Sequence, residues 1–392
     1  MTTAIIITLC TILLVAYFFD VSAARTRIPS AVLLLFLGWG MHEMTLLFGL
    51  VVPDMSEVLP VLGTVGLILI VLEGSLELKI DPTKRAMIGK AFAGATVSAI
   101  GLALVIGYII QYVTGASLKD SMANAIPLCI ISSAIAIPTA QHLAQADREF
   151  IIYESSLSDI VGVLLFNFVV LNTVIDGGAF FRFGLQLGLM AVVSLAATLL
   201  LGFLLHRIQH HVKYVPIILL LILIYALTKL YHLPSLLFIL LFGLALGNID
   251  KLNRLPRMQK LGWGELDVQV LKLKELTGEA AFLIRALFFI LFGYTLLTSE
   301  ILDLNALPWS AGLVGLIFIT RALQLKLSGQ PLTPLLFIAP RGLITILLFL
   351  SVPTEIQIPL VSKSVLTQVI LLSAGIMMLG MLTSRKDNSQ SQ

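Results

Sequence analysis

The sequence predicts an all-α polytopic membrane protein of about 13 transmembrane helices, and three observations predict it. Of the 392 residues, 58% are hydrophobic and 12% charged, with a mean hydropathy of +1.02, far outside the range of soluble domains. Apolar runs of roughly 20 residues, the length that crosses about 30 Å of hydrocarbon, recur along the whole chain. The lysines and arginines then gather on one side of those runs. A net charge of +3 is too small to suggest a nucleic-acid partner. No phosphate loop, metal-ligand cluster or nucleophile motif is present, so an enzyme is not expected. Cys10 and Cys129 lie in apolar runs without metal or disulfide spacing and read as packing residues.

The runs fall at about 3–20, 29–50, 58–79, 87–113, 121–144, 149–175, 182–206, 213–231, 233–249, 279–299, 307–327, 332–352 and 362–384. The first, "MTTAIIITLCTILLVAYFFD", has no basic segment ahead of it. Although "VSA" at 21–23 resembles a cleavage site, a first spanning helix is the better reading. With the N-terminus outside, eighteen lysines and arginines fall on the cytoplasmic side and four outside, namely Lys119, Arg182, Lys229 and Lys363. Arg285, Arg321 and Arg341 lie within spans. That asymmetry predicts a multi-pass protein of the cell (inner or plasma) membrane with its C-terminus in the cytoplasm. Connections are short except for 250–278. There Trp263, Leu266, Val270, Leu273 and Leu276 recur at helical spacing among Glu265, Asp267, Lys272 and Lys274, which predicts a helix lying on the cytoplasmic membrane surface. His206 and His210, beside Arg207 and Lys213, read as a solvated helix end. A short polar tail after Leu382 predicts no nucleotide-binding domain in the chain.

Two runs carry prolines and small polar residues at mid-membrane depth. The fifth reads "IPLCIISSAIAIPTA", with Pro127, Ser132, Ser133, Pro138 and Thr139. The twelfth reads "TPLLFIAPRGLITI", with Pro334, Pro340, Arg341 and Gly342. Proline removes a backbone donor and frees a carbonyl one turn earlier. Such breaks in opposite halves of the chain are the mark of inverted-repeat carriers, whose half-helix ends hold ions.

The sixth run opens with "IIYESSLSDIVGVLLF", which holds Glu154 and Asp159 where charges are expensive. At about 100° per residue, Ser158, Gly162, Ser155 and Asp159 fall roughly 40°, 80°, 100° and 140° from Glu154. The polar groups therefore form one arc with the two carboxylates at its edges. One can be neutralised by an intramembrane arginine while the other is left for a transported ion.

These stretches resemble the monovalent cation:proton antiporters, in the sodium/proton exchanger branch. The resemblance rests on "ESSLSD" at 154–159, "RTRIPSAVLLLFLGWGM" at 25–41, "LILIVLEGSLELKI" at 67–80, "AFLIRALFFILFGYTL" at 281–296 and "APRGLITILLFLSVP" at 339–353. It implies two inverted repeats with broken helices 5 and 12, assembled as a homodimer in the lipid bilayer. It further implies a core bundle at approximately 87–175 and 307–384 and a dimerisation bundle at approximately 1–79 and 182–299. The implied activity is exchange of Na+ or a similar monovalent cation for H+ by alternating access, with no bound cofactor. Asp159 resembles the carboxylate shared by ion and proton, and Ser155 a second ligand of the cation. Ser158 stands where the family commonly has Asn and is counted with Asp159 and Ser155 among the ion- and proton-binding residues. Glu154 resembles the buried acid of a structural ion pair, whose partner is Arg321 or Arg341. On the fifth helix, where the family usually carries Thr-Asp-Pro, this chain has Ser132, Ser133 and Ala134. The hydroxyls of Ser132 and Ser133 then become neutral ligands in place of an acid. Glu73, in the third run, matches an acid of related chains and is a further ion or proton site. Its neighbours Glu77 and Lys79 also fit a plain helix end. With Asp159 as the one titrating carboxylate of the sixth-helix pair, exchange is predicted to be electroneutral; a second proton carried on Glu73 would add a charge. Two other readings remain: a non-transporting membrane sensor or scaffold, and a carrier of an anion or organic solute using Arg341.

Overall fold

The computed structural model describes residues 2–26, 28–49, 58–78, 82–141, 143–172, 176–207, 214–231, 233–249 and 266–388. Every apolar run read from the sequence contains helix. The first four spans are Thr2–Thr26, Ser30–Leu47, Val58–Glu77 and Arg85–Thr114. The fifth is broken into Leu118–Ala125 and Ser133–Ala140. The sixth to ninth are Gln145–Leu171, Gly177–Arg207, Tyr214–Leu230 and Ser235–Gly247. The tenth and eleventh are Leu266–Tyr294 and Leu307–Leu327. The twelfth is again broken, with a 3-10 turn at Leu335–Phe337 and helix only over Leu343–Leu350, and the thirteenth is Lys363–Asn388. Among the described residues nine helices are long and apolar enough to cross a membrane, the two halves of the fifth counted together. No strand occurs among them.

One expectation is corrected. The surface helix read at 263–276 is not a separate element: from Leu266 onward the chain is one helix that continues to Tyr294. Val270, Leu273, Thr277 and Ala281 are all buried, so the apolar face runs without interruption from the supposed surface helix into the tenth span. No proline interrupts 266–294, and nothing else there stops the helix. Trp263, Glu265 and His210 lie outside the described residues, as does the side chain of His206.

The chain divides into two units. One comprises Val65–Ala86 and Val163–Phe282. Within it the ends of the third and ninth spans are joined, the Asn248 amide donating to the Leu78 carbonyl at 2.9 Å. Lys274 pairs with Glu77 at 3.3 Å. The other unit comprises Met1–Thr64, Met87–Gly162 and Leu283–Gln392. Here the second and tenth spans meet backbone to backbone, because Gly38 faces the Ile290 carbonyl and Gly293 faces the Leu35 carbonyl with no room for a Cβ at either. Both broken helices belong to this unit and carry its polar interior.

Candidate functional site

The first half of the fifth span tightens into a 3-10 turn at Ile126–Cys129, where Pro127 withdraws a backbone donor. Ile130 and Ser132 are extended, and helix resumes at Ser133. In the twelfth span residues 338–342 are likewise non-helical. The two stretches touch, Ser132 N–H donating to the Pro340 carbonyl at 2.9 Å. Gly342 makes that approach possible, since a Cβ there would come within 2.7 Å of Ser132 Oγ and 2.8 Å of Ile135 Cδ1. The sixth span backs onto the same place through Gly162, whose missing Cβ makes room for the Ile130 side chain.

A broken helix exposes a negative end and a positive end, each without intrahelical partners. Opposite charges cover both. At the start of the second half, Ser133 N–H donates to Asp159 Oδ2 at 3.3 Å, and an anion is stabilised at a helix N-terminus. Beside it Ile131 N–H donates to Ser158 Oγ at 3.0 Å. At the end of the first half, Arg341 donates through Nε to the Leu128 carbonyl at 2.7 Å and through Nη2 to that of Cys129 at 3.5 Å. Its Nη1 goes to the Ala339 carbonyl at 2.9 Å. Arg341 is therefore not a member of the structural ion pair. It sits on the extended stretch, where the nearest acceptors are carbonyls released by the break.

Glu154 pairs instead with Arg321 of the eleventh span, Nη1 to Oε1 at 2.5 Å, both side chains being buried. Gln324, one turn further along, joins them. Its Nε2 donates to Glu154 Oε1 at 2.6 Å, and its Oε1 accepts from Arg321 Nη1 at 2.8 Å. The sequence reading missed Gln324. The available signal was Arg321 and Gln324 at i and i+3, on one face of a largely apolar helix.

The remaining candidates divide by what their oxygens do. Ser155 Oγ donates to its own helix at the Ile151 carbonyl, 2.7 Å away, a bond that uses its proton and not its lone pairs. Asp159 Oδ1 and Ser132 Oγ are buried and have no hydrogen-bond partner. Ser158, expected among the ion ligands, has a lone pair engaged by Ile131 N–H and acts first as a clasp on the break. Glu73 is half-buried on the stretch of the third span that belongs to the other unit, beside Gly278. The structure thus brings Asp159, Ser132, Ser133 and Ser158 to one crossing, with Ser155 buried one turn before Asp159 and the Glu154–Arg321 pair on the same sixth span. A carboxylate oxygen and hydroxyl oxygens form a hard donor set suited to an alkali cation, and the carboxylate also takes a proton.

A family model described as sodium/hydrogen exchanger, transmembrane, matches residues 9–383. Among solved structures, the chain is similar to the sodium proton antiporter MjNhaP1 from Methanocaldococcus jannaschii at pH 8, with a TM-score of 0.72 and 19% identity over 98% of this chain and 99% of that one. It is also similar to an electron-microscopy map of the same antiporter, with a TM-score of 0.69 and 17% identity over 98% and 95% of the two chains. No curated protein matches.

Proposed function

Because the chain belongs to the sodium/hydrogen exchanger family, we propose that it is a secondary active transporter exchanging a monovalent cation, Na+ first among them, for H+, with Asp159 as the carboxylate both share. One observation carries this reading. Asp159 holds an uncommitted oxygen at the crossing of two broken helices, while Glu154, Arg321 and Arg341 around it are each paired or capping. A cation bound by Asp159, Ser155, Ser132 and Ser133 excludes the proton, and the proton excludes the cation. Alternating exposure of that one carboxylate to the two sides is then sufficient for antiport. The core bundle, spans 4–6 and 11–13, rocks against the remaining spans, which form the dimer.

Charge counting supports an electroneutral cycle. Glu154 and Arg321 cancel, Arg341 stays on carbonyls, and one carboxylate trades one monovalent cation for one proton. The same bonding weighs against an anion carrier, because three of the five Arg341 N–H donors, one from each guanidinium nitrogen, already go to backbone carbonyls. In the cell membrane the N-terminus lies outside and the C-terminus in the cytoplasm.

The test is a pH-gradient dequenching assay in proteoliposomes, run across the alkali cations for wild type and Asp159→Asn. Wild type should exchange, and the variant should fold and dimerise but not exchange. Undiminished exchange by the variant refutes Asp159 as the shared carboxylate. A wild type with no proton-coupled cation flux supports the sensor or scaffold reading instead.

A further inference from the structure

The tenth and eleventh spans are joined by residues 295–306, on the outer side in the orientation proposed above. This connection is held from two directions, and the two holds differ in kind. Toward the second span it is fixed. Gly38 and Gly293 bring the second and tenth spans together backbone to backbone. Just beyond them, Trp39 Nε1 donates to Thr298 Oγ1 at 3.0 Å, and Thr298 donates in turn to Glu43 Oε1. A seam packed that closely slides only by repacking both helices.

Toward the thirteenth span the hold is a set of side-chain hydrogen bonds. Lys363, the first residue of that helix, donates to the Thr295 carbonyl just past the C-terminal end of helix Leu266–Tyr294, where a cation is favoured. The same ammonium lies 3.2 Å from Glu300 Oε2, which also accepts from Leu297 N–H at 3.1 Å. Further along the helix, Gln368 Nε2 donates to the carbonyls of Asp303 at 2.8 Å and Ile301 at 3.3 Å. The Lys363 and Glu300 side chains are 29% and 23% exposed, so water can take over their bonds when they part. Gln368 Oε1 is buried without a partner, which makes the closed arrangement less favourable than its donated bonds alone suggest. Contacts of this kind open and close without disturbing a packed core.

We infer that residues 295–303 are a strap that shuts the outer side of the carrier, and that Lys363 and Gln368 release it before Asp159 faces outward. This inference rests on the exchange proposed above, in which the thirteenth span moves with the core bundle while the second and tenth do not. Rocking that draws the thirteenth span away from the tenth stretches the bonds of Lys363 and Gln368 first. The closed strap therefore lowers the fraction of carriers open to the outside, and a cation arriving from outside binds with an affinity reduced by that fraction.

The experiment measures the half-saturating Na+ concentration from each side, in right-side-out and everted vesicles of a host without sodium/proton antiporters of its own. Wild type, Lys363→Met and Glu300→Gln are compared, and Glu300→Gln carries the test if Lys363→Met does not fold. Loss of one partly exposed ion pair should lower the outer value about two- to fivefold, while the inner value stays or rises. A second arm places cysteines at both positions, Glu300→Cys with Lys363→Cys, and joins them with a short bifunctional methanethiosulfonate. The joined protein should stop exchanging and recover on reduction, while neither single-cysteine variant responds. An outer value that is unchanged or raised, or one that falls together with the inner value, overturns the inference and leaves the exchange reading intact. Undiminished exchange by the joined protein, its link verified by mass, overturns it too. A wild type without exchange refutes the underlying function, and the inference falls with it.

Discussion

Replacing Glu154 by glutamine keeps the shape of the side chain and removes its charge, so it isolates the ion pair from the packing. Arg321 is 2% exposed, and its Nη1 would lose the carboxylate 2.5 Å away. What remains to it is neutral: the introduced amide oxygen, the Leu335 carbonyl and the Gln324 oxygen. Removing one partner of a buried pair costs on the order of 3–5 kcal/mol, because the other charge is left uncompensated. Asp159→Asn differs in kind. Asp159 accepts one long bond of 3.3 Å from Ser133 N–H, which an amide oxygen accepts equally well, and its other oxygen has no partner to lose. Its replacement should cost about 1 kcal/mol or less. The gap of roughly 2–4 kcal/mol should lower the melting temperature of Glu154→Gln by on the order of 5 °C relative to Asp159→Asn. Both variants would be purified in one detergent and melted side by side by intrinsic fluorescence. Equal melting temperatures, or a lower one for Asp159→Asn, would refute the division of labour between the two carboxylates.

Two further outcomes follow from the crossing of the broken helices. Ser133→Asp places an acid beside the backbone N–H that Asp159 accepts, and it should raise apparent cation affinity or change selectivity in the proteoliposome assay; no change in either places Ser133 outside the site. Arg341→Lys leaves a point charge where a planar fork reaches three carbonyls, so at least one buried carbonyl loses its donor. It should cost about 1.5–3 kcal/mol and lower the melting temperature, whereas a change in substrate affinity at unchanged stability would mean that Arg341 faces a solute.

Much of the fold is legible in the sequence because a bilayer imposes length and polarity on every span. Runs near 20 residues and two proline-rich interruptions predict the spans and the breaks at 126–133 and 335–342. Periodicity alone misled at 263–276. An amphipathic pattern does not say where a helix ends, and nothing between Leu266 and Tyr294 ends this one. The site was legible by residue type and less so by partner. Glu154 and Asp159 are conspicuous as acids in an apolar run, but the choice between Arg321 and Arg341 depends on backbone. Arg321 projects from a regular helix, whereas Arg341 lies on an extended stretch that carries it to the Leu128 and Cys129 carbonyls. Ser158 reads as a ligand from its place in the arc, and only the neighbouring break reveals that Ile131 N–H engages its oxygen. Gln324 escaped notice because a neutral amide in a membrane helix is far less conspicuous than a charge.

Competition of cation and proton for Asp159 is measured most directly by the protons released when Na+ is added to purified protein in weakly buffered detergent solution. The account predicts one proton released per chain at saturation, none on adding an organic cation too large for the site, and none from Asp159→Asn under the same conditions. No release from a wild type that exchanges in proteoliposomes, or equal release from wild type and Asp159→Asn, would contradict it.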